Sequence, residues 1–196
     1  MGKKKGTNKK KEELEIEVEV EAEAEEDISL GMVELYGPVD EEKSAEVIDF
    51  ILKYSYGAHG PIQFLISTHG GLASEMFAIY DVMRMTRENT EILTLGLGKV
   101  MSAGVLLLAA GSKGGRQIGA NCKVMIHGLR AEQGGYLPTL QNDLEELRRL
   151  EESYIKVLSE ETNMSKRYIK KLFSKKLDVF LSAEEAVDLG IADIIV

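Results

Sequence analysis

One cysteine, three prolines, three histidines and no tryptophan stand in 196 residues, and most of these scarcities exclude something. A lone Cys122 cannot close an internal disulfide and suits a reducing compartment. With one cysteine and three histidines, no zinc-ligand spacing appears. No apolar run reaches the roughly 20 residues a membrane span needs. The N-terminal lysines are followed by glutamates and not by an apolar core, which is not the pattern of a secretory signal. Positive charge is also short: 24 Lys and Arg against 33 Asp and Glu give a net charge of −9. Phosphate binding needs a basic face, so nucleic acid is a poor partner. The glycine-rich G-S-K-G-G-R (111–116) is not a P-loop. The expectation is a soluble cytoplasmic protein, with neither metal nor other cofactor and no membrane contact.

Two parts of unequal character make up the chain. Residues 1–27 are charged and of low complexity, lysine-rich to residue 11 and then E-E-L-E-I-E-V-E-V-E-A-E-A-E-E. Alternation at period two puts Leu14, Ile16, Val18 and Val20 on one face of a strand and the carboxylates on the other. Stacked like charges oppose that strand, and such acidic bias also marks disorder, so both readings stand. Residues 28–196 read as one domain with enough apolar residues for a full core. L-G-M-V-E-L-Y (30–36) is a strand, G-P-V-D its turn, and Glu41–Tyr54 a helix with Ala45, Ile48, Ile51 and Leu52 inward. I-Q-F-L-I-S (62–67) is the next strand, and the chain from Leu72 through Met83 the next helix. Strand and helix continue to alternate, which argues an α/β fold.

Chemistry concentrates in G-K-V-M-S-A-G-V-L-L-L-A-A-G (98–111). A strand-like run leads in, an apolar helical run leads out, and between them Ser102 is flanked by Gly98 and Gly104. A serine at a tight strand-to-helix turn stands clear of its backbone, where a nucleophile belongs. The same position is also that of an ordinary helix N-cap. C-K-V-M-I-H (122–127) is a short apolar strand ending in His127. Asp178, in L-D-V-F-L-S, precedes a helix already capped by Ser182 with Glu185, which leaves the aspartate free for another task. Serine, histidine and aspartate in this order can supply nucleophile, base and orienting acid. His59, in a glycine-flanked loop, reads as solvated, whereas His69 competes with His127 by its place next to Gly70 and Gly71. That glycine pair is either a tight turn or a backbone N–H donor to an oxyanion.

These segments carry a resemblance. G-P-V-D (37–40), H-G-G-L-A-S (69–74), A-I-Y-D-V-M (78–83), M-S-A-G-V-L-L-L-A-A-G (101–111), K-V-M-I-H (123–127) and D-V-F-L-S-A-E-E-A-V-D-L-G-I-A-D (178–193) stand in the order of the ClpP family. The chain thus resembles the proteolytic subunit of the Clp protease, a self-compartmentalised serine peptidase, from about Gly31 to its C-terminus. The resemblance implies a spiral of β-β-α units, shared with the crotonases, and a protruding strand–helix handle at about 128–160. It implies Ser102, His127 and Asp178 as triad, with the N–H groups of Gly71 and Ala103 as oxyanion hole. Peptides or unfolded proteins are the implied substrates. A homo-oligomer of two heptameric rings, a tetradecamer, and a separate AAA+ unfoldase are the implied assembly, with ATP dependence residing in the unfoldase. By the same resemblance, residues 1–27 are a possible axial-loop region at an acidic entrance.

The chain departs from the family in places. His69 stands where proline is usual, and Gly128–Leu129 where glutamine and proline follow the histidine. The aromatic and basic helix before the first core strand has no match. Rival readings are a crotonase-type acyl-CoA enzyme, a serine–lysine signal-peptide peptidase and a catalytically silent ring scaffold. The handle helix is expected from Leu140 to about Glu160, with Leu140, Leu144, Leu147, Tyr154 and Leu158 on one stripe and Glu145 paired to Arg148 or Arg149.

Overall fold

The computed structural model describes residues 30–57, 60–130, 134–174 and 178–196. The segment 1–27 and His59 lie outside these residues. In chain order the elements are β1 (Gly31–Tyr36), α1 (Glu41–Gly57), β2 (Ile62–Thr68), α2 (Ala73–Thr86), β3 (Ile92–Met101) and α3 (Ala103–Ala109). They continue with β4 (Gln117–Ile118), β5 (Lys123–Ile126), α4 (Leu137–Glu161), α5 (Lys166–Ser174), β6 (Val179–Leu181), α6 (Ala183–Asp188) and β7 (Ile194–Ile195). The fold is α/β: the strands form one sheet ordered β1-β2-β3-β4-β7, parallel along that path. A side branch runs from β3 to β5, also parallel, and on to an antiparallel β6.

One face of the sheet is sealed by helices. β2 alternates: Ile62, Phe64 and Ile66 are fully buried, while Gln63 and Leu65 are half-buried. α1 packs on β1, α3 on β2 and β3, and α2 between α1 and α3. Each leucine or isoleucine removed from water here contributes roughly 1.5–3 kcal/mol. α3, A-G-V-L-L-L-A, is buried at every residue, which is why it lacks a polar stripe. The inward face of α1 differs from the expected one. Ser44, Val47 and Ile51 are buried and Ala45 is exposed, because the helix turns the stripe preceding Ala45 onto β1.

β3 is the longest strand and it divides. Ile66 faces Gly96 and Thr68 faces Val100, so β3 takes up two residues more than β2 over this stretch. Gly98 lies in the excess at φ +65°, a conformation glycine adopts without a Cβ clash. Before it, Leu95 and Gly96 pair with β4; after it, Lys99 to Met101 pair with β5. The bend therefore delivers the end of β3, and Ser102 after it, to the side branch that carries His127.

α4 begins three residues before the expected Leu140 and ends at Glu161. Its first half is exposed at Leu137 and Leu144, and only Tyr154, Ile155, Leu158 and Glu161 are buried. Arg149 pairs with Glu146, 3.6 Å, and not with Glu145. Of the strand implied before this helix, residues 131–133 lie outside the described ones, and the described residues on either side carry no strand. α6 opens on the anticipated capping box: Ser182 Oγ accepts from Glu185 N–H, and Glu185 accepts from Ser182 N–H. Among the described residues, no helix is long and apolar enough to cross a membrane.

Candidate active site

Ser102 sits between β3 and α3 with φ 53° and ψ −116°. It is the one non-glycine residue with positive φ among the described residues. Such a backbone costs on the order of 1–3 kcal/mol and persists only where its surroundings fix it. They do so here. The Ser102 N–H donates to the Met125 carbonyl of β5 at 2.8 Å. Its own carbonyl accepts from Val105 N–H at 3.0 Å and from the Tyr154 hydroxyl at 3.2 Å. An N-cap serine has extended backbone angles and bonds the first helical turn with its hydroxyl. Ser102 has neither those angles nor a capping bond, so the ordinary N-cap reading fails.

Of the glycine pair after β2, Gly70 lies against this serine and Gly71 against Val39. A Cβ at Gly70 would fall 2.6 Å from Ser102 Cβ, and one at Gly71 would fall 2.1 Å from the Val39 carbonyl oxygen. Gly70 also has φ +96°. No side chain fits at either position. The loop is held at three points: Gly70 N–H donates to Thr68 Oγ1 (2.9 Å), Val39 N–H to Gly70 O (3.0 Å) and Leu72 N–H to Val39 O (2.8 Å). The N–H groups of Gly71 and Ala103 donate no hydrogen bond among the described residues. His69, next to the pair, is exposed.

His127 follows the last residue of β5, and Asp178 precedes the first of β6. The antiparallel register pairs Ile126 with Val179, so His127 and Asp178 are the next cross-strand neighbours. The side chains do not bond one another. His127 Nδ1 lies 2.5 Å from the Gly128 carbonyl oxygen. A carbonyl only accepts, so Nδ1 carries a proton; in the neutral ring this leaves the lone pair on Nε2, the tautomer a base requires. Asp178 is ion-paired with Arg130. Ser102 and His127 thus follow the ends of the paired strands β3 and β5, the glycine loop follows β2 beside them, and Asp178, just before β6, stands opposite His127. Thr68 and Arg130 join this neighbourhood without having been singled out from the sequence, and Tyr154, which the sequence offers only as part of a helical stripe, joins them.

Away from the site, a buried ion cluster ties the helices that frame it. Glu161, at the end of α4, is 3% exposed. It is held by Arg87 through two bonds of 2.6 and 2.9 Å and by the Tyr80 hydroxyl at 3.0 Å. Arg87 also donates to the Ala110 carbonyl just past α3, at 2.8 Å. Burial pushes the Glu161 carboxyl up, but the Arg87 bonds and charge, Tyr80 and Lys113 outweigh it and hold it below the ordinary range. Burial and the neighbouring Glu161 push the Tyr80 phenol up to about 12.

The family model for the Clp protease matches residues 21–196. Over 157 residues the chain is 31% identical to the ATP-dependent Clp protease proteolytic subunit of Deinococcus radiodurans, a match covering 80% of this chain and 75% of that protein. A strained serine beside backbone N–H donors on an α/β scaffold is a site suited to acyl transfer. The chain belongs to the Clp protease family, and its class of activity is that of a peptidase.

Proposed function

We propose that the chain is a serine endopeptidase in which Ser102 is the nucleophile, His127 the general base and Asp178 the orienting acid. Ser102 Oγ attacks the scissile carbonyl carbon while His127 Nε2 takes the hydroxyl proton. The carbonyl oxygen gains negative charge, which the N–H groups of Gly71 and Ala103 stabilise. His127 then gives its proton to the leaving amine, and the peptide C–N bond breaks to leave an acyl-Ser102 ester. Water, deprotonated by His127, hydrolyses the ester and restores the serine. Asp178 serves by turning from Arg130 to His127 Nδ1, where it stabilises the imidazolium; until then the Gly128 carbonyl holds the same tautomer.

One observation carries this reading: the only positive-φ non-glycine backbone among the described residues belongs to a serine whose hydroxyl makes no capping bond and against which Gly70 lies at contact distance. Family membership supports the assembly that goes with it. The sites line the chamber of a double heptamer in the cytoplasm. The Deinococcus relative is ATP-dependent by name, which supports a separate AAA+ unfoldase as feeder of folded substrates. Incubation with a fluorophosphonate probe should attach one label per chain, at Ser102. Ser102→Ala should lose both the label and about 10⁴- to 10⁶-fold of peptide turnover. Turnover that survives this substitution would end the proposal.

A further inference from the structure

We infer that Tyr154 is a positioning residue for the oxyanion hole, acting through the peptide group that joins Ser102 to Ala103. The inference rests on the reading of Ser102 as nucleophile and extends it to a residue on a different helix. Tyr154 lies on α4, 52 residues beyond the serine, and is 2% exposed. Its ring stacks on Phe173 of α5, centroids 5.6 Å apart and planes 17° from parallel. Its hydroxyl makes one bond among the described residues, to the Ser102 carbonyl oxygen at 3.2 Å. Burial pushes the phenol pKa upward, so the group stays a proton donor across the working range.

The target of that bond matters more than its strength. In a trans peptide the carbonyl of one residue and the N–H of the next point in opposite directions from one rigid plane. The carbonyl that Tyr154 grips is therefore the far end of the unit whose near end is the Ala103 N–H. Fixing the oxygen fixes the direction of the donor. Accepting a hydrogen bond at the oxygen also polarises the unit and makes its N–H a better donor. Val105 N–H holds the same oxygen from within α3, at 3.0 Å, but that bond moves with the helix. Tyr154 supplies an outside anchor. It works where Ser102 is strained and the unit has most reason to rotate.

Tyr154→Phe removes the hydroxyl and keeps the ring and its stack. Three readouts are taken on the full chain, with rates normalised to sites titrated by a burst of acylation: the second-order rate of fluorophosphonate labelling, kcat and KM on a fluorogenic peptide, and affinity for a peptide boronate. The boronate forms a tetrahedral adduct whose oxygen occupies the oxyanion position. Labelling rate, kcat and boronate affinity should each fall by about five- to tenfold, with KM, melting temperature and assembly mass little changed. A purely packing role predicts the reverse: a lower melting temperature with boronate affinity intact. Labelling and boronate binding within twofold of wild type, or a loss confined to KM, would overturn the inference. Failure of the wild-type chain itself to label would overturn the serine reading instead, which separates the two.

Discussion

Asp178 gives its carboxylate to Arg130, whereas its cross-strand neighbour His127 turns Nδ1 to the carbonyl of Gly128. With these contacts in place, neither side chain bonds the other. Arg130 is 64% exposed and Asp178 34%, so their pair is worth at most about 1 kcal/mol and is screened by salt. An equilibrium this shallow is easily tipped. Arg130→Gln should raise kcat by about two- to fivefold at low ionic strength, since the carboxylate no longer has the guanidinium as rival. Wild-type activity should rise with added salt toward the same level, and the variant should lack that rise. Initial rates at 0.05 and about 0.5 M NaCl, bracketing the screening range, check both. A variant slower than wild type in both salts would mean that Arg130 aids catalysis.

Gly70 and Ser102 constrain one another more severely. An alanine at position 70 would place its Cβ 2.6 Å from that of Ser102 while holding φ +96°. Relief requires the serine or the loop to move by close to an ångström. A displacement of that size costs about 10²-fold in a reaction that depends on positioning. Gly70→Ala should therefore retain the fold by circular dichroism, lower its melting temperature, and reduce fluorophosphonate labelling by about two orders of magnitude. Labelling at wild-type rate would show that the loop does not determine where Ser102 stands.

Much of this architecture was legible in the sequence because it depends on local pattern. The period-two apolar residues of β2, the apolar block of α3 and the capping box at Ser182 each state their structure within a few residues. The nucleophile candidate was legible for the same reason, as a hydroxyl set between glycines in an apolar run. What the sequence left open depends on partners far along the chain. Ser102 is not a residue type that announces positive φ; Met125, Val105 and Tyr154 impose it. Tyr154 fits an apolar helical stripe, and nothing in that stripe says where its hydroxyl goes. β4 has only two residues, Gln117 and Ile118, too few to show a period. Ala45 read as inward by spacing alone, although Ser44 next to it is the buried residue. Arg130 and Asp178 stand 48 residues apart, and only the β5–β6 register brings them together.

The buried acid Glu161 predicts a stability effect independent of catalysis. Arg87 bonds it twice and simultaneously holds the Ala110 carbonyl, linking the ends of α3 and α4. Arg87→Met would leave the carboxylate with Tyr80 and the more distant Lys113, 3.7 Å away. Stranding a buried charge in this way costs about 3–5 kcal/mol. Chemical denaturation at neutral pH should show that loss in Arg87→Met. The double variant Arg87→Met, Glu161→Leu should recover part of it, because no charge remains to be solvated. If the double variant is no more stable than the single one, the cost lies in the lost Ala110 contact.

The same cluster sets the acid limb of stability. The Glu161 carboxyl is held below its ordinary value despite burial, by Arg87, Tyr80 and Lys113. Asp193 is lowered chiefly by its hydrogen bond to Arg116, which also donates to the Glu161 and Gly190 carbonyls. For a carboxylate depressed in the folded state, the unfolded chain binds the proton first as pH drops. Its contribution is complete above the unfolded value, about 4 for these groups, and is lost as pH falls through the lower folded value. Melting temperature, measured on Ser102→Ala to prevent self-cleavage, should be nearly flat from about pH 7 to 5 with respect to these two groups and fall steeply below 4. Adding Glu161→Gln and Asp193→Asn should lower the plateau, since the charged bonds to Arg87 and Arg116 weaken, and flatten the acid slope, since two titrating groups are gone. An unchanged slope in the amide variant would place the acid sensitivity in other carboxylates and strip Glu161 and Asp193 of this role.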